Sequence, residues 1–261
     1  MATRVVAVVL AGGAAGRLAR HEPEEPKALV PFGDAPLVAW VLRALQASRV
    51  VERLVVVGPD DVGRLARTIV PAERLACVMG GERLADSLAL GLGAASTLDP
   101  ERLLVATADL PWLTGAQIDA FVRTAPDADL VYTAVERAAM ERAFPRQERT
   151  YARVAGRDLT GGNVLLLRPA VVPALLPLVD RAYRARKSPF ALAALLGWDL
   201  ALRLLLRRLS IAAAERRVSR LLNATARVVL DVDPAIAADV DRPEHLAFRP
   251  PDEGPAVGEI A

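Results

Sequence analysis

Apolar residues along this chain fall into two alternating patterns. Short, nearly continuous apolar runs occupy residues 5–10, 53–58, 75–79, 103–106 and 129–135. A run that is apolar at successive rather than alternate positions predicts a strand covered on both faces. Between these runs lie segments with apolar residues at helical spacing. One spans residues 36–48 (Leu37, Val41, Leu42, Leu45), and a second runs to about residue 69, with Asp60 or Asp61 as its candidate cap. A third covers 83–95, and a fourth begins at Thr114 as its cap. This alternation predicts right-handed strand–helix–strand units and a mostly parallel sheet. Ligands in such sheets bind beyond the carboxyl ends of the strands, so loops 11–17, 80–83 and 107–112 are expected on one rim.

From about residue 144 the pattern changes. Residues 151–154 and 160–168 read as strands facing away from the first half, and 170–222 as a helical block. Its stretch 189–206 is long and apolar, but Asp199 and Arg203 interrupt it, which argues against a membrane span and for a buried helix or a dimer face. The preceding cluster Arg184, Arg186 and Lys187 is either a solvated face or an anion site. Residues 227–231 return to strand, and 249–261, rich in Pro, Gly and acidic residues, read as a disordered tail.

A chain of 261 residues can bury about 70–75% of its unfolded surface in one or two lobes. The single cysteine, Cys77, excludes an intrachain disulfide and fits a reducing compartment. Arg4 leads directly into a strand-like run with no small-residue cleavage site, so no secretory leader is expected and the cytoplasm is the expected location. The net charge is only +2, and no basic patch studded with aromatics argues for nucleic acid. Lysine occurs only at positions 27 and 187 among 33 Lys and Arg residues, which points to both as sites needing a compact point charge.

The candidate chemistry begins where the first strand ends. After Leu10 the chain runs Ala11-Gly12-Gly13, then Arg17, then Pro26-Lys27. Glycines there let backbone N–H groups approach a ligand without an intervening Cβ, and such turns form anion nests. The alternative is a plain tight turn. The spacing of Gly12, Gly13 and Gly16 does not meet the dinucleotide fingerprint. Leu10-Ala11-Gly12-Gly13 with Arg17 and Pro26-Lys27-Ala28-Leu29 resembles the signature LAGGxGxR…PK of the MobA-like and sugar-phosphate nucleotidyltransferases. Ala15 stands where the family often has glycine.

Three further segments resemble that family, in family order. Gly80-Gly81-Glu82-Arg83-Leu84-Ala85-Asp86-Ser87 is similar to the GGxxRxxS segment that contacts base and ribose, although its arginine falls one residue early; a helix N-terminus with turn glycines is the alternative. Asp109-Leu110-Pro111 resembles the D-x-P motif whose aspartate holds a metal. A carboxylate at the end of a buried strand needs a partner, and Mg²⁺ would supply one; a turn-capping aspartate is the alternative. Residues 239–246 (Asp-Val-Asp-Arg-Pro-Glu-His-Leu) resemble the closing DxDTPEDL motif, with Asp241 as the metal ligand and Asp239 as the fallback. Pro243 also fits an ordinary helix start. His21 and His245 are too isolated to argue for zinc.

The resemblance implies a Rossmann-like three-layer αβα sandwich of the nucleotide-diphospho-sugar transferase type, with a helical insertion. Residues 1–248 would form one domain, a nucleotide-binding half (1–136) and an acceptor or lid half (137–248). Leu10, Ala11, Gly12, Gly13, Gly81 and Ser87 would bind nucleotide, and Arg17 and Lys27 would act on the triphosphate. Asp109 and Asp241 would hold Mg²⁺. Gly162 and Asn163 in Thr160-Gly161-Gly162-Asn163, together with Lys187, would contact the acceptor, unless the glycines mark only a hairpin. The implied reaction moves a nucleoside monophosphate from a nucleoside triphosphate to a phosphorylated acceptor, releasing pyrophosphate. Molybdopterin and a sugar or polyol phosphate remain the two acceptor classes. The competing class is a nucleotide-binding regulatory domain without turnover.

Overall fold

Val5, Ala7 and Val9 point to one side of the first strand and Val6 and Val8 to the other, and all five are buried. That double burial dictates the architecture. The computed structural model describes residues 4–18, 25–145, 147–185 and 188–247. Strand β1 (Val5–Leu10) is followed by a two-residue ribbon, β2 (Pro31–Phe32) and β3 (Ala35–Pro36), and helix α1 (Leu37–Ala47). Then come β4 (Val51–Gly58), α2 (Asp60–Ile69), β5 (Leu75–Met79), α3 (Leu84–Ser96), β6 (Arg102–Thr107), α4 (Gly115–Thr124) and β7 (Leu130–Glu136). The second half adds α5 (Arg137–Ala143), β8 (Ala152–Val154), β9 (Arg157–Leu167), α6 (Val172–Ala185), α7 (Pro189–Leu196), α8 (Trp198–Leu205), α9 (Ile211–Leu222) and β10 (Ala226–Val229).

The main sheet has the order β10-β7-β9-β6-β1-β4-β5, with β8 paired to β9. The pairs β1–β4, β1–β6, β4–β5 and β7–β10 are parallel, whereas β9 runs antiparallel to β6, β7 and β8. One face packs on α1, α2 and α4 through Val38, Val41, Leu42, Val62, Ala66, Ile118 and Phe121. The other packs on α3, α6 and α9 through Leu88, Leu92, Leu175, Leu178 and Leu222. The result is a three-layer αβα sandwich.

Three local outcomes differ from the sequence reading. Pro59 occupies the position before α2, and Asp60 and Asp61 fall inside its first turn, where their charge suits the helix dipole without a side-chain cap. The apolar stretch 189–206 is two short helices, because Gly197 adopts φ +100° and breaks it. Asp199 then pairs with Arg217 of α9 at 2.5 Å. No described helix is long and apolar enough to cross a membrane. On α8 and just beyond its end, Trp198, Leu202, Leu205 and Leu206 leave an apolar stripe exposed. Finally, β9 does not face away from the first half. It is inserted between β6 and β7, since Val164 and Leu166 complete the first apolar face and Leu167 the second. The tail at 249–261 lies outside the described residues.

Helix α3 lies unusually close to the sheet. A Cβ on Gly91 would come within 2.6 Å of a Val57 methyl and 2.7 Å of a Val8 methyl. Both partners are β-branched and stiff at χ1, so neither can turn away cheaply. Gly91→Ala is therefore expected to destabilise the protein by about 1–3 kcal/mol through overpacking, although helix propensity alone predicts a gain of about 1 kcal/mol. Urea denaturation of the two proteins gives the sign.

Candidate active site

The carboxyl ends of β1, β4, β5 and β6 share one rim. Backbone bonds stitch the loops that leave them: Ala11 donates to the Val57 carbonyl (2.7 Å), Gly80 to Gly58 (3.3 Å) and Ala108 to Leu10 (3.1 Å). Beyond Ala11, Gly12 and Gly13 are exposed, and the chain returns antiparallel at residues 25–27. There Ala15 donates to the Glu25 carbonyl (2.7 Å), and Lys27 donates its backbone N–H to Gly13 (2.8 Å). This return delivers the Lys27 side chain to the rim. Arg17 lies in a short 3₁₀ turn, Gly16–Leu18, that starts from a left-handed Gly16 (φ +54°). The Arg17 side chain lies outside the described residues.

Ser87 ties the second loop to the first. It is buried, its Oγ accepts from the Gly81 N–H (3.0 Å), and a Cβ on Gly12 would meet that oxygen at 3.7 Å. Gly81 has no room for a side chain, since its Cβ would fall 2.5 Å from that of Asp86. Arg83 turns away from the rim to pair with Asp86 (2.7 Å) and Asp180 of α6 (2.8 Å). Its role there is to hold α6 against the start of α3.

Three carboxylates meet beside these loops. Asp109 follows β6. Its carbonyl accepts from Val240 (3.0 Å), a completely buried residue that anchors the segment carrying Asp239 and Asp241. Carboxylate oxygens of Asp109, Asp239 and Asp241 lie within 4.8 Å of one another. Lys27 Nζ bridges Asp109 and Asp241, and Arg149 pairs with Asp239. Arg149 also donates to Thr160 Oγ1 (3.2 Å) and the Gly161 carbonyl (3.4 Å). The segment is braced from behind: Gln147 donates to the Asp239 carbonyl (2.6 Å), and buried His245 accepts the Asp241 N–H at Nδ1 (3.2 Å). A cavity of about 270 Å³ opens here, lined by Arg149, Thr160, Asp239, Asp241, Arg242 and His245 among others.

The charges explain one another. Burial, reinforced by the negative charges of Asp109 and Asp241, pushes the Asp239 carboxyl up to about 6 despite Arg149. Burial also pushes Asp241 up, but the hydrogen bond and charge of Lys27 outweigh it and hold this carboxyl below its usual range. Burial pulls the Lys27 ammonium down, and the two carboxylates more than restore it. His245 is kept low by burial. A divalent cation fits this site on the site's own chemistry. Asp109 Oδ1 is buried without a hydrogen-bond partner among the described residues, and three hard oxygen donors converge where the Lys27 ammonium bridges Asp109 and Asp241.

Of the residues expected from sequence, Ala11, Gly12, Gly13, Gly81, Ser87, Lys27, Asp109 and Asp241 converge on this rim, with Leu10 at the end of β1. Gly162 and Asn163 lie within β9. Gly162 is buried, and a Cβ there would strike Thr133 Oγ1 at 2.1 Å, so its lack of a side chain serves packing between β9 and β7. Lys187 lies outside the described residues. Arg149 was not anticipated, and Thr160 was expected only as part of the Thr160–Asn163 motif, without a role of its own. Arg149 sits in a polar stretch without periodicity or motif, and only the fold brings it to Asp239.

A family model for the MobA-like NTP transferase domain matches residues 7–228, and the chain belongs to that family. It is 37% identical over 117 residues to a 2-C-methyl-D-erythritol 4-phosphate cytidylyltransferase of Streptomyces coelicolor, covering 42% of each chain. It is 35% identical over 124 residues to a phosphoenolpyruvate guanylyltransferase of Sphaerobacter thermophilus, covering 47% of this chain and 57% of the relative. The chain thus spans about half the length of these curated relatives. A solved structure of a hypothetical transferase from Thermus thermophilus is 41% identical with a TM-score of 0.79, over 93% of this chain and 99% of that one.

The raised carboxyl of Asp239 carries a pH signature in metal-free protein. Its folded value lies above the unfolded one, so the stability it contributes is fully present below pH about 4 and is lost as pH rises through about 6. The unfolding free energy of wild type relative to Asp239→Asn should fall by roughly 2 kcal/mol between pH 4 and pH 7. Paired urea titrations across that range check it; a flat difference would place Asp239 in a solvent-like environment.

Proposed function

We propose that this protein is a nucleotidyltransferase, transferring a nucleoside monophosphate from a nucleoside triphosphate to a phosphorylated small molecule and releasing pyrophosphate. The observation that carries this reading is the meeting of Asp109, Asp239 and Asp241 with Lys27 at the rim where the Gly12-Gly13 and Gly80-Gly81 loops converge. The named activities of the two curated relatives support it, since both are nucleotidyltransferases.

In this reading an oxygen of the acceptor phosphate attacks the α-phosphorus in line, forming a new P–O bond. The bond from the α-phosphorus to the bridging oxygen of the β-phosphate breaks, and pyrophosphate leaves with that electron pair. The attacking oxygen is already anionic, so no side chain has to remove a proton. The obstacle is repulsion between anions, which preorganised positive charge offsets. Mg²⁺ held by Asp109 and Asp241, with Asp239 beside them, would supply Lewis acidity to the reacting phosphoryl oxygens. Lys27 lies between the carboxylates and the glycine loop, where its ammonium can accompany the charge that develops on departing pyrophosphate. Backbone N–H groups of Gly12 and Gly13 are the expected partners of the triphosphate, since that of Ala11 is taken by Val57, and Ser87 keeps the two glycine loops in register. Arg17 is assigned the same anion-binding role from its place in the motif. The acceptor is a phosphomonoester; molybdopterin and a sugar or polyol phosphate are the classes carried forward from the sequence.

Pyrophosphate release with Mg²⁺ tests the assignment. Asp109→Asn and Asp241→Asn should each lower turnover by at least about a hundredfold with little change in melting temperature, and Lys27→Arg should lower kcat more than it raises KM. Turnover that survives both aspartate substitutions, or is unchanged in Lys27→Arg, would refute these roles.

A further inference from the structure

A second cavity, of about 390 Å³, adjoins the site and has no part in the chemistry above. It lies between the sheet and helix α9. Its floor is built from alternate residues of two strands, Leu130, Tyr132 and Ala134 of β7 and Leu159 and Gly161 of β9, and its roof from Ile211, Ala214 and Val218 of α9. Nearly all of the lining is apolar. Its two charged residues are turned onto the backbone: Glu215 accepts the Val228 N–H at 2.9 Å, and Arg227 donates to the Ala226 carbonyl at 2.9 Å. Gly161 is what gives the floor its shape, because a Cβ there would collide with Tyr132 Oη at 2.2 Å.

Two observations join this cleft to the carboxylate site. Thr160 lines both cavities. Arg149 stands at the boundary, bonded to Thr160 Oγ1 and the Gly161 carbonyl on one side and paired with Asp239 on the other. An apolar space of this size falls within the range of small-molecule sites, and such sites characteristically combine an apolar wall with one or two polar anchors. An apolar cleft whose boundary with the carboxylate site carries a guanidinium suits a ligand with an anionic head and an apolar body.

We infer that the acceptor is a phosphomonoester with an apolar body, seated between α9 and strands β7 and β9, with its phosphate directed past Thr160 toward Arg149. This narrows the acceptor class and rests on the nucleotidyltransferase reading above. Of the two classes carried forward, it disfavours a bare polyol phosphate, whose hydroxyls would find almost no partners in the cleft.

Calorimetric binding of geranyl phosphate and glycerol phosphate to the full chain tests the inference without requiring turnover. Geranyl phosphate should bind at least about tenfold tighter, since burying two extra methylene groups is already enough for that ratio. Ala214→Phe, which fills the cleft from α9, should erase the preference while leaving binding of nucleoside triphosphate with Mg²⁺ unchanged. Val154→Asp, which places a charge at the β8 wall, serves as the second variant should Ala214→Phe fold poorly. Equal binding of the two phosphates, or a preference that survives in a folded variant, would overturn the inference. Failure of the underlying reading looks different: the geranyl preference and its loss in the variants would stand, but no phosphate would support pyrophosphate release.

Discussion

Three carboxylates held within 4.8 Å of one another form an arrangement that the protein must compensate or abandon. Burial first, and then the repulsion of like charges at that separation, lets Asp239 hold its proton up to about pH 6. Lys27 supplies the other compensation, bridging Asp109 and Asp241 with one ammonium. Much of the surrounding structure exists to hold this cluster in place. The return of the chain onto Gly13 delivers Lys27, β6 delivers Asp109, and buried Val240 sets the segment on which Asp239 and Asp241 alternate. Gln147 and His245 brace that segment through its backbone rather than through its carboxylates. In the proposed function, compensation by a lysine rather than by apolar packing would leave the cluster exchangeable: a divalent cation would take over the carboxylates and free the ammonium for phosphate.

The fold makes this economy possible because its two apolar faces are independent. Alternate residues of β1 serve different helical layers; beyond the strand ends Ala11, Ala108 and Leu110 still pack in the core, while Gly12 and Gly13 stand exposed on the rim and are available for chemistry. The antiparallel strand β9 extends the same logic. It fills the sheet between β6 and β7 while bringing Thr160 and Gly161 to the edge of the carboxylate site. Its glycines serve two faces: Gly162 yields to Thr133 on one, and Gly161 yields to Tyr132 on the other.

Much of this was legible in the sequence because it is local. Continuous valine runs encode strands buried on both sides, and Thr114 marks the start of α4, where the structure adds a capping box with Gln117. Leu10-Ala11-Gly12-Gly13, Lys27, Asp109 and Asp241 stand in short motifs with fixed spacing, and the structure brings them to one rim. What failed to be legible depends on distant contacts. The break at Gly197 follows from a backbone conformation and from the Asp199–Arg217 pair across 18 residues. The insertion of β9 into the sheet is a pairing choice that its own pattern of residues does not express. Arg149 acquires meaning only when folding sets it against Asp239, 90 residues away.

The proposed function depends most on the carboxylate cluster binding a divalent cation together with nucleoside triphosphate. Thermal unfolding of the wild-type chain against ATP, CTP, GTP and UTP, each with and without Mg²⁺, tests this directly. Ligand at a hundred times its dissociation constant stabilises by about 2.7 kcal/mol, and for at least one nucleotide that shift should require Mg²⁺ and the triphosphate together. If no nucleotide stabilises the protein, or if the shift is the same without the cation, the carboxylate cluster is not the metal–triphosphate site described here.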